Sequence, residues 1–324
     1  MGNKIAFFET ISPRGHVSLN RFLLTSCMST KKMIVGCSLK DYYSDMDCIY
    51  FNDRFLKKNR INHFLISLYY IFKFFIYFKI NNYNKVVILS YDKYNIFFIN
   101  ILSVVLNIKV YAFEHNTFPR GENIISDKLF FLSKRIYRLC FLPHMAELCK
   151  ENNLPSSLLE HPIIVNQGDN EIHDIIKLKS ILSKYDRVIF CPSGSSDLKK
   201  IEDKIKKYKN YLFVIKSERL AFYDNTLYVK FFNNLGKWME LSDFVYIPVD
   251  FDYRVSGFFY ESLGYNKKVI LSDSLFSKYV STVFFNYCYS EDGDWSEFSS
   301  SINGPLNVKL YNDSIVLKFN SFLI

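Results

Sequence analysis

Residues 252–273 read DYRVSGFFYESLGYNKKVILSD. Just upstream, Pro248 closes a strand, since proline has no N–H to continue a ladder. A polar loop carrying Arg254, Ser256 and Gly257 then leads into a helix, with Ser256 suited to the N-cap position and Gly257 allowing close approach to the backbone. A helix start offers unpaired N–H groups and the positive end of a dipole, which suit a phosphate, and the Arg254 guanidinium adds a fork of donors for phosphate oxygens. Glu261 lies a little over one turn into the helix, where a carboxylate can accept hydrogen bonds from ribose hydroxyls. Gly264 is expected to help end the helix, and Lys268–Ser272 returns as a strand.

Working outward, this strand–loop–helix–strand unit recurs along the chain. The second half offers strands at Arg187–Cys191, Tyr211–Lys216, Thr226–Phe231 and Phe244–Ile247, with helices at Asp197–Tyr208 and Leu235–Leu241. The first half offers strands at Lys4–Phe8, Lys32–Cys37, Lys85–Ser90, Lys109–Phe113 and, more weakly, Arg138–Leu142, with a helix over His16–Met28. Continuous apolar runs alternating with helices predict parallel sheets covered on both faces. At 324 residues there is room for two such units. The expectation is a domain over 1–165, a linker over 166–183 without a strong strand, and a second domain over 184–324.

Charge is distributed unevenly. Residues 1–160 hold 21 Lys/Arg and 12 Asp/Glu, an excess of nine, whereas residues 161–324 hold 20 of each. The first half is therefore expected to face something anionic. From Arg54 to Tyr91 there are seven basic residues and no acid, around the apolar run FLISLYYIFKFFIYF at 64–78. That run is short for a bilayer span. It reads as a buried helix or as one lying on an anionic membrane, with residues 54–85 as the contact. Seven scattered cysteines without a CxxC pair, and no signal peptide, predict reduced thiols and a cytoplasmic location. No HExxH, CxxC, GxSxG or GxGxxG pattern is present, so metal chemistry, serine hydrolysis and nicotinamide binding are not expected. No cofactor is expected, and no RNA- or DNA-binding motif supports nucleic acid as a partner.

The arrangement Arg-x-Ser-Gly-x-x-x-Glu-Ser-Leu-Gly from Arg254 to Gly264 resembles the donor-binding signature of GT-B glycosyltransferases, and the strand order fits over about 300 residues. The resemblance implies two Rossmann-like α/β domains with parallel sheets facing across a cleft, with a nucleotide-sugar donor on the second. It implies Arg254, Ser256 and Gly257 on the diphosphate and Glu261 on the ribose. Many retaining members carry a second Glu eight positions before this one, where this chain has Tyr253. In Cys191–Lys200, small residues at a helix start form an anion nest. By resemblance Ser193, Gly194 and Ser195 face donor phosphates with Lys199, Lys200 as second choice, and Lys216 as a further candidate.

Two polar points follow strands of the first half: Glu9–His16 (ETISPRGH) and Glu114–Thr117 (EHNT). Ligands of open α/β sheets bind outside the carboxyl ends of strands. The first point resembles the family's acceptor loop, and His115 resembles a histidine that reaches the donor sugar. An inverting enzyme needs a base near the acceptor hydroxyl, for which His16, His115 and Glu9 are the candidates; a retaining one would use them only to position sugar. The expected activity is sugar transfer onto a hydroxyl of a saccharide, of the bacterial surface-polysaccharide type (O-antigen or capsule) with a lipid-linked acceptor, at the inner face of the membrane. A sugar-nucleotide epimerase of the same fold and a non-catalytic basic membrane scaffold are the alternatives.

Overall fold

The computed structural model describes residues 4–11, 13–53, 60–115, 117–119, 121, 124–165, 180–192, 198–217, 221–230, 232 and 234–323. They form two compact α/β units. The first comprises Met1–Pro162, Tyr253–Val255 and Asn312–Ile324, the second Ile163–Asp252 and Ser256–Tyr311. The tail from Asn312 thus returns to the first unit, which a single break in the expected linker does not provide for.

The first unit holds strands β1 (Lys4–Glu9), β2 (Thr30–Gly36), β3 (Cys48–Phe51), β4 (Lys85–Ser90), β5 (Lys109–Glu114), β6 (Ile136–Cys140) and β7 (Ser156–Leu158). They form one sheet in the order β3-β2-β1-β4-β5-β6-β7. Every pair is parallel; Phe8, for example, aligns with Ile34 on one side and Ile88 on the other. β4 is buried along its whole length, the signature of a strand covered on both faces. Helices α1 (Val17–Ser26), α2 (Arg60–Ile80), α3 (Asn95–Val105), α4 (Ile124–Leu132) and α5 (Pro143–Glu151) make the crossovers. On one face Phe74, Phe75 and Phe78 of α2 and Ile96 and Ile99 of α3 pack on Phe8, Ile88 and Val110.

The second unit holds β8 (Arg187–Cys191), β9 (Tyr211–Lys216), β10 (Ala221–Tyr223), β11 (Thr226–Val229), β12 (Phe244–Ile247), β13 (Lys268–Leu271) and β14 (Cys288–Ser290), in the order β10-β11-β9-β8-β12-β13-β14. All pairs are parallel except the β10–β11 hairpin. Its helices are α6 (Leu198–Lys207), α7 (Leu235–Leu241), α8 (Gly257–Gly264) and α9 (Leu275–Val283). Gly264 has a packing reason rather than a terminating one: a Cβ there would lie 2.4 Å from Val165. The left-handed residue beyond the helix is Asn266, at φ 52°.

The last helix, α10 (Val308–Leu323), anchors the chain end to the first unit. Phe319 packs against Phe7 and Phe113. Asn320 accepts from the Met28 N–H at 3.0 Å and donates to the Ser26 carbonyl at 2.9 Å, tying off the end of α1.

Candidate functional site

Strand order reverses between β1 and β4 in the first sheet and between β8 and β12 in the second. Loops leaving such neighbours diverge to opposite faces and open a crevice at the carboxyl ends. Each unit places its polar sequence points there.

In the first unit the crevice is a cavity of about 140 Å³, lined by Ile11, Pro13, His16, Ser90, Tyr91, Phe113, His115 and Thr117. His16 follows β1 and His115 follows β5, so parallel packing brings residues 99 positions apart face to face. Their rings stack at 4.3 Å between centroids and 28° between planes. Burial lowers the His16 pKa from its ordinary 6.5 to about 4. Burial, with repulsion from His16 and His161, holds His115 well below the ordinary range. Both rings are therefore neutral at pH 7. His115 hydrogen-bonds the Leu89 backbone, while its Nε2 is buried without a partner. The proton thus sits on Nδ1 and Nε2 presents a lone pair. The His16 Nδ1 atom is likewise buried without a partner.

Glu9 does not line this cavity. Its buried carboxylate accepts from the Asn20 amide at 2.9 Å, the Ile11 N–H at 3.3 Å and the Ser90 hydroxyl. It fixes the loop after β1 and the end of β4.

Beneath His115 lies a charge pair that sequence reading missed. The Arg138 guanidinium on β6 donates to Glu114 at 2.9 Å, both side chains being fully buried. The Tyr91 hydroxyl donates to the same carboxylate at 2.7 Å and Thr117 at 3.2 Å. Burial pushes the Glu114 carboxyl up, against the pull of Arg138 and Tyr91. Arg138 also reaches the Ser133 hydroxyl and lies over the Phe130 ring at 4.2 Å. Two cavity-lining residues, Tyr91 and Thr117, are thereby held by one buried ion pair. A lone Arg in an apolar strand was the only sign of it in the sequence.

In the second unit α8 begins as expected: Ser256 is the N-cap, and its hydroxyl accepts from the Phe259 N–H at 3.4 Å. A Cβ built on Gly257 meets nothing within 4 Å, so the helix start opens onto free space among the described residues. Glu261 is buried on α8. Lys199 is exposed at the start of α6, whereas Lys200 is half-buried and bonded to Asp250 at 3.1 Å, with Glu291 at 3.6 Å. Glu291 also accepts from Tyr246 at 2.9 Å and Ser272 at 2.8 Å. Asp250 and Glu291 thus hold the neighbouring lysine, not the one favoured from sequence, over the strand ends. Lys216 is exposed at the end of β9, two strands from β12. Arg254 belongs to the short segment Tyr253–Val255 that groups with the first unit. Its neighbour Tyr253 stacks on Phe118 at 5.4 Å and meets His144 edge-on at 5.6 Å. Ser193, Gly194 and Ser195 lie outside the described residues. Among the described residues, no group of three His, Cys, Asp or Glu converges as a metal-ligand set.

No protein-family model matches the sequence, and no curated protein matches it. Solved structures do match its fold from end to end. HepE of Anabaena, solved with UDP, superposes with a TM-score of 0.70 at 11% identity, covering 99% of this chain and 98% of that one. The same protein is also solved with UDP-glucose. A UDP-N-acetylglucosamine 2-epimerase gives 0.62 at 12% identity, covering 99% and 96%. The lipopolysaccharide outer core galactosyltransferase WaaB gives 0.56 at 11%, covering 99% and 91%. At such identities the likeness is one of fold, and that fold is GT-B: two parallel-sheet α/β units in succession.

Proposed function

We propose that this chain is a glycosyltransferase that moves a sugar from a nucleoside-diphosphate sugar to a hydroxyl of a saccharide. The observation that carries the reading is the start of α8, a Ser256-capped helix mouth open at Gly257 with the buried carboxylate Glu261 one turn in. The free N–H groups suit a diphosphate and Glu261 suits ribose hydroxyls. End-to-end fold likeness to a protein solved with UDP and UDP-glucose supports a UDP-sugar as the first donor to try.

The first unit's cavity supplies a seat for the acceptor. Phe113 and Tyr91 offer apolar surface to a sugar ring, and His115 Nε2 offers a lone pair to its hydroxyl. In the transfer the acceptor oxygen bonds to the anomeric carbon, the bond from that carbon to the diphosphate oxygen breaks, and the acceptor proton passes to His115. An imidazole with so depressed a pKa is a weak base, so its main contribution is orientation. Charge growing on the diphosphate is offset by the α8 start, Arg254, and Lys199 or Lys200, with Lys216 in reserve. Ser193, Gly194 and Ser195 are further candidates for phosphate contact in this reading, from the sequence alone. His16, stacked on His115, holds that ring in place, and Glu9 positions Ser90.

A lipid-linked acceptor of surface-polysaccharide type, a cytoplasmic location, and attachment to the inner face of an anionic membrane through 54–85 belong to the same reading. The membrane attachment is supported by the net positive charge of the first half. Likeness to a 2-epimerase favours one rival, turnover of the nucleotide-sugar alone. Incubation of UDP-sugars with and without saccharide acceptors separates the two. Transfer releases UDP only with acceptor present, whereas epimerisation changes the sugar without one. A panel of nucleotide-sugars that leaves the melting temperature unmoved defeats both and leaves a scaffold.

A further inference from the structure

Helix α3 breaks the usual rule for a surface helix. Its sequence, NIFFINILSVV, contains no charged residue. Ile96 and Ile99 face the core, yet Phe98, Ile101, Val104 and Val105 face out, the last 72% exposed. A helix apolar all round belongs in a core or against lipid. The flanking helices continue the surface. On α2, Leu65, Tyr69 and Phe72 are more than half exposed, and the Phe64 ring of α2 meets Phe98 of α3 at 5.9 Å. On α4, Ile124 and Ile125 are about 70% exposed.

The border of this apolar surface is basic. Lys73 stands beside Tyr69, and Lys128 is exposed on α4. The exposed pair Lys134 and Arg135 is held at the flank of α3, where the Arg135 N–H donates to the Asn100 side chain at 2.9 Å. Asp127 is occupied by the Gly121 N–H at 3.0 Å. From Arg54 to Arg135 the sequence carries 13 Lys/Arg against four Asp/Glu, one of which is the buried Glu114. An apolar plane with a positive border fits an anionic bilayer, with rings and aliphatic chains in the acyl boundary and ammonium groups among the phosphates. The surface lies on the membrane rather than through it. Helix α2 is long and apolar enough to span, but its Ile71, Phe74, Phe75 and Phe78 are core residues that a span would expose.

We infer that the outward surface of α2, α3 and α4, centred on Phe98, Ile101 and Val105, is a monotopic lipid-binding face for anionic bilayers, held by apolar insertion and only steered by charge. This deepens the membrane part of the proposed function and is independent of sugar transfer, so the test uses no turnover. The full chain is sedimented with vesicles of phosphatidylcholine alone and with phosphatidylglycerol added. Binding should be stronger with the anionic lipid present and survive in part at about 1 M salt, where charge is screened within ~3 Å. The Phe98→Glu/Ile101→Glu variant should lose more than tenfold of the binding at both salt levels, with an unchanged circular dichroism spectrum. If that variant misfolds, Ile101→Trp serves instead. Trp238 and Trp295 are both buried, so a blue shift of the new indole with vesicles, quenched by brominated lipid, reports insertion. Wild-type binding by a folded double variant, binding abolished entirely by salt, or an unshifted indole overturns the inference. So does a dimer in sedimentation velocity that the variant converts to monomer without vesicle binding, which would make the face a contact between copies.

Discussion

The two crevices share a topology and differ in chemistry. Both sit where strand order reverses, beside β1 and β4 in one sheet and β8 and β12 in the other. The first is aromatic and holds two stacked neutral imidazoles, with two lining residues, Tyr91 and Thr117, bonded to the carboxylate of a fully buried ion pair. The second is open and charged, with a helix mouth and a half-buried lysine bonded to two carboxylates. The sheet fixes where a ligand can sit, and loop residues fix what kind of ligand it is. A pocket of neutral acceptors suits hydroxyls; free N–H groups with cations suit a diphosphate.

The comparison breaks most severely if the charge beneath the first crevice is removed. Glu114→Ala leaves the Arg138 guanidinium buried without its partner and should cost about 3–5 kcal/mol in urea unfolding. A loss under about 1 kcal/mol would mean that the pair does not hold this part of the fold together. The neutral histidines give the next effect. His16 and His161 fall from 6.5 to about 4 on folding. Between these values the unfolded chain binds protons that the folded chain refuses, so stability present above 6.5 is lost as pH falls toward 4. The expected slope is about 1.4 kcal/mol per pH unit for each histidine. A flat unfolding free energy from pH 7 to 4.5 would show that these imidazoles are not held neutral by burial.

Two substitutions sharpen the division of labour. His115→Ala should lower turnover about a hundredfold while leaving donor affinity within ~2-fold; equal losses in both would place His115 on the donor. Glu261→Ala should weaken UDP-sugar binding about tenfold or more by calorimetry, as loss of hydrogen bonds to a charged group predicts. Unchanged affinity would end its ribose role. The smallest effect is expected for Lys199→Ala, below about threefold, since an exposed charge contributes under ~1 kcal/mol. Lys200→Ala should exceed it, and the reverse order would restore Lys199 as the phosphate contact.

The strands legible in the sequence were the inner ones. Lys85–Ser90 is buried on both faces, so Val86–Leu89 at its centre reads as one unbroken apolar run. The four strands that escaped notice, β3, β7, β10 and β14, are the four sheet edges. Each is three or four residues long and partly exposed, too short and mixed for a pattern to register. The same contrast runs through the site. Ser256, Gly257 and Glu261 were readable because capping and helix phase are local. Tyr91 and Arg138 were not, because nothing local ties Arg138 to a carboxylate 24 residues away.

By itself, then, the sequence determined the succession of parallel α/β units, the polar points after their strands and the charge asymmetry between halves, all of which follow from short-range periodicity and composition. Only the tertiary structure decided that His16 and His115 stack, that Glu9 is engaged below the cavity, that Lys200 rather than Lys199 is held in place, and that the chain end from Asn312 belongs to the first unit. These depend on which distant side chains share a buried volume. Burial sets both the pKa of an imidazole and the need of a charge for a partner.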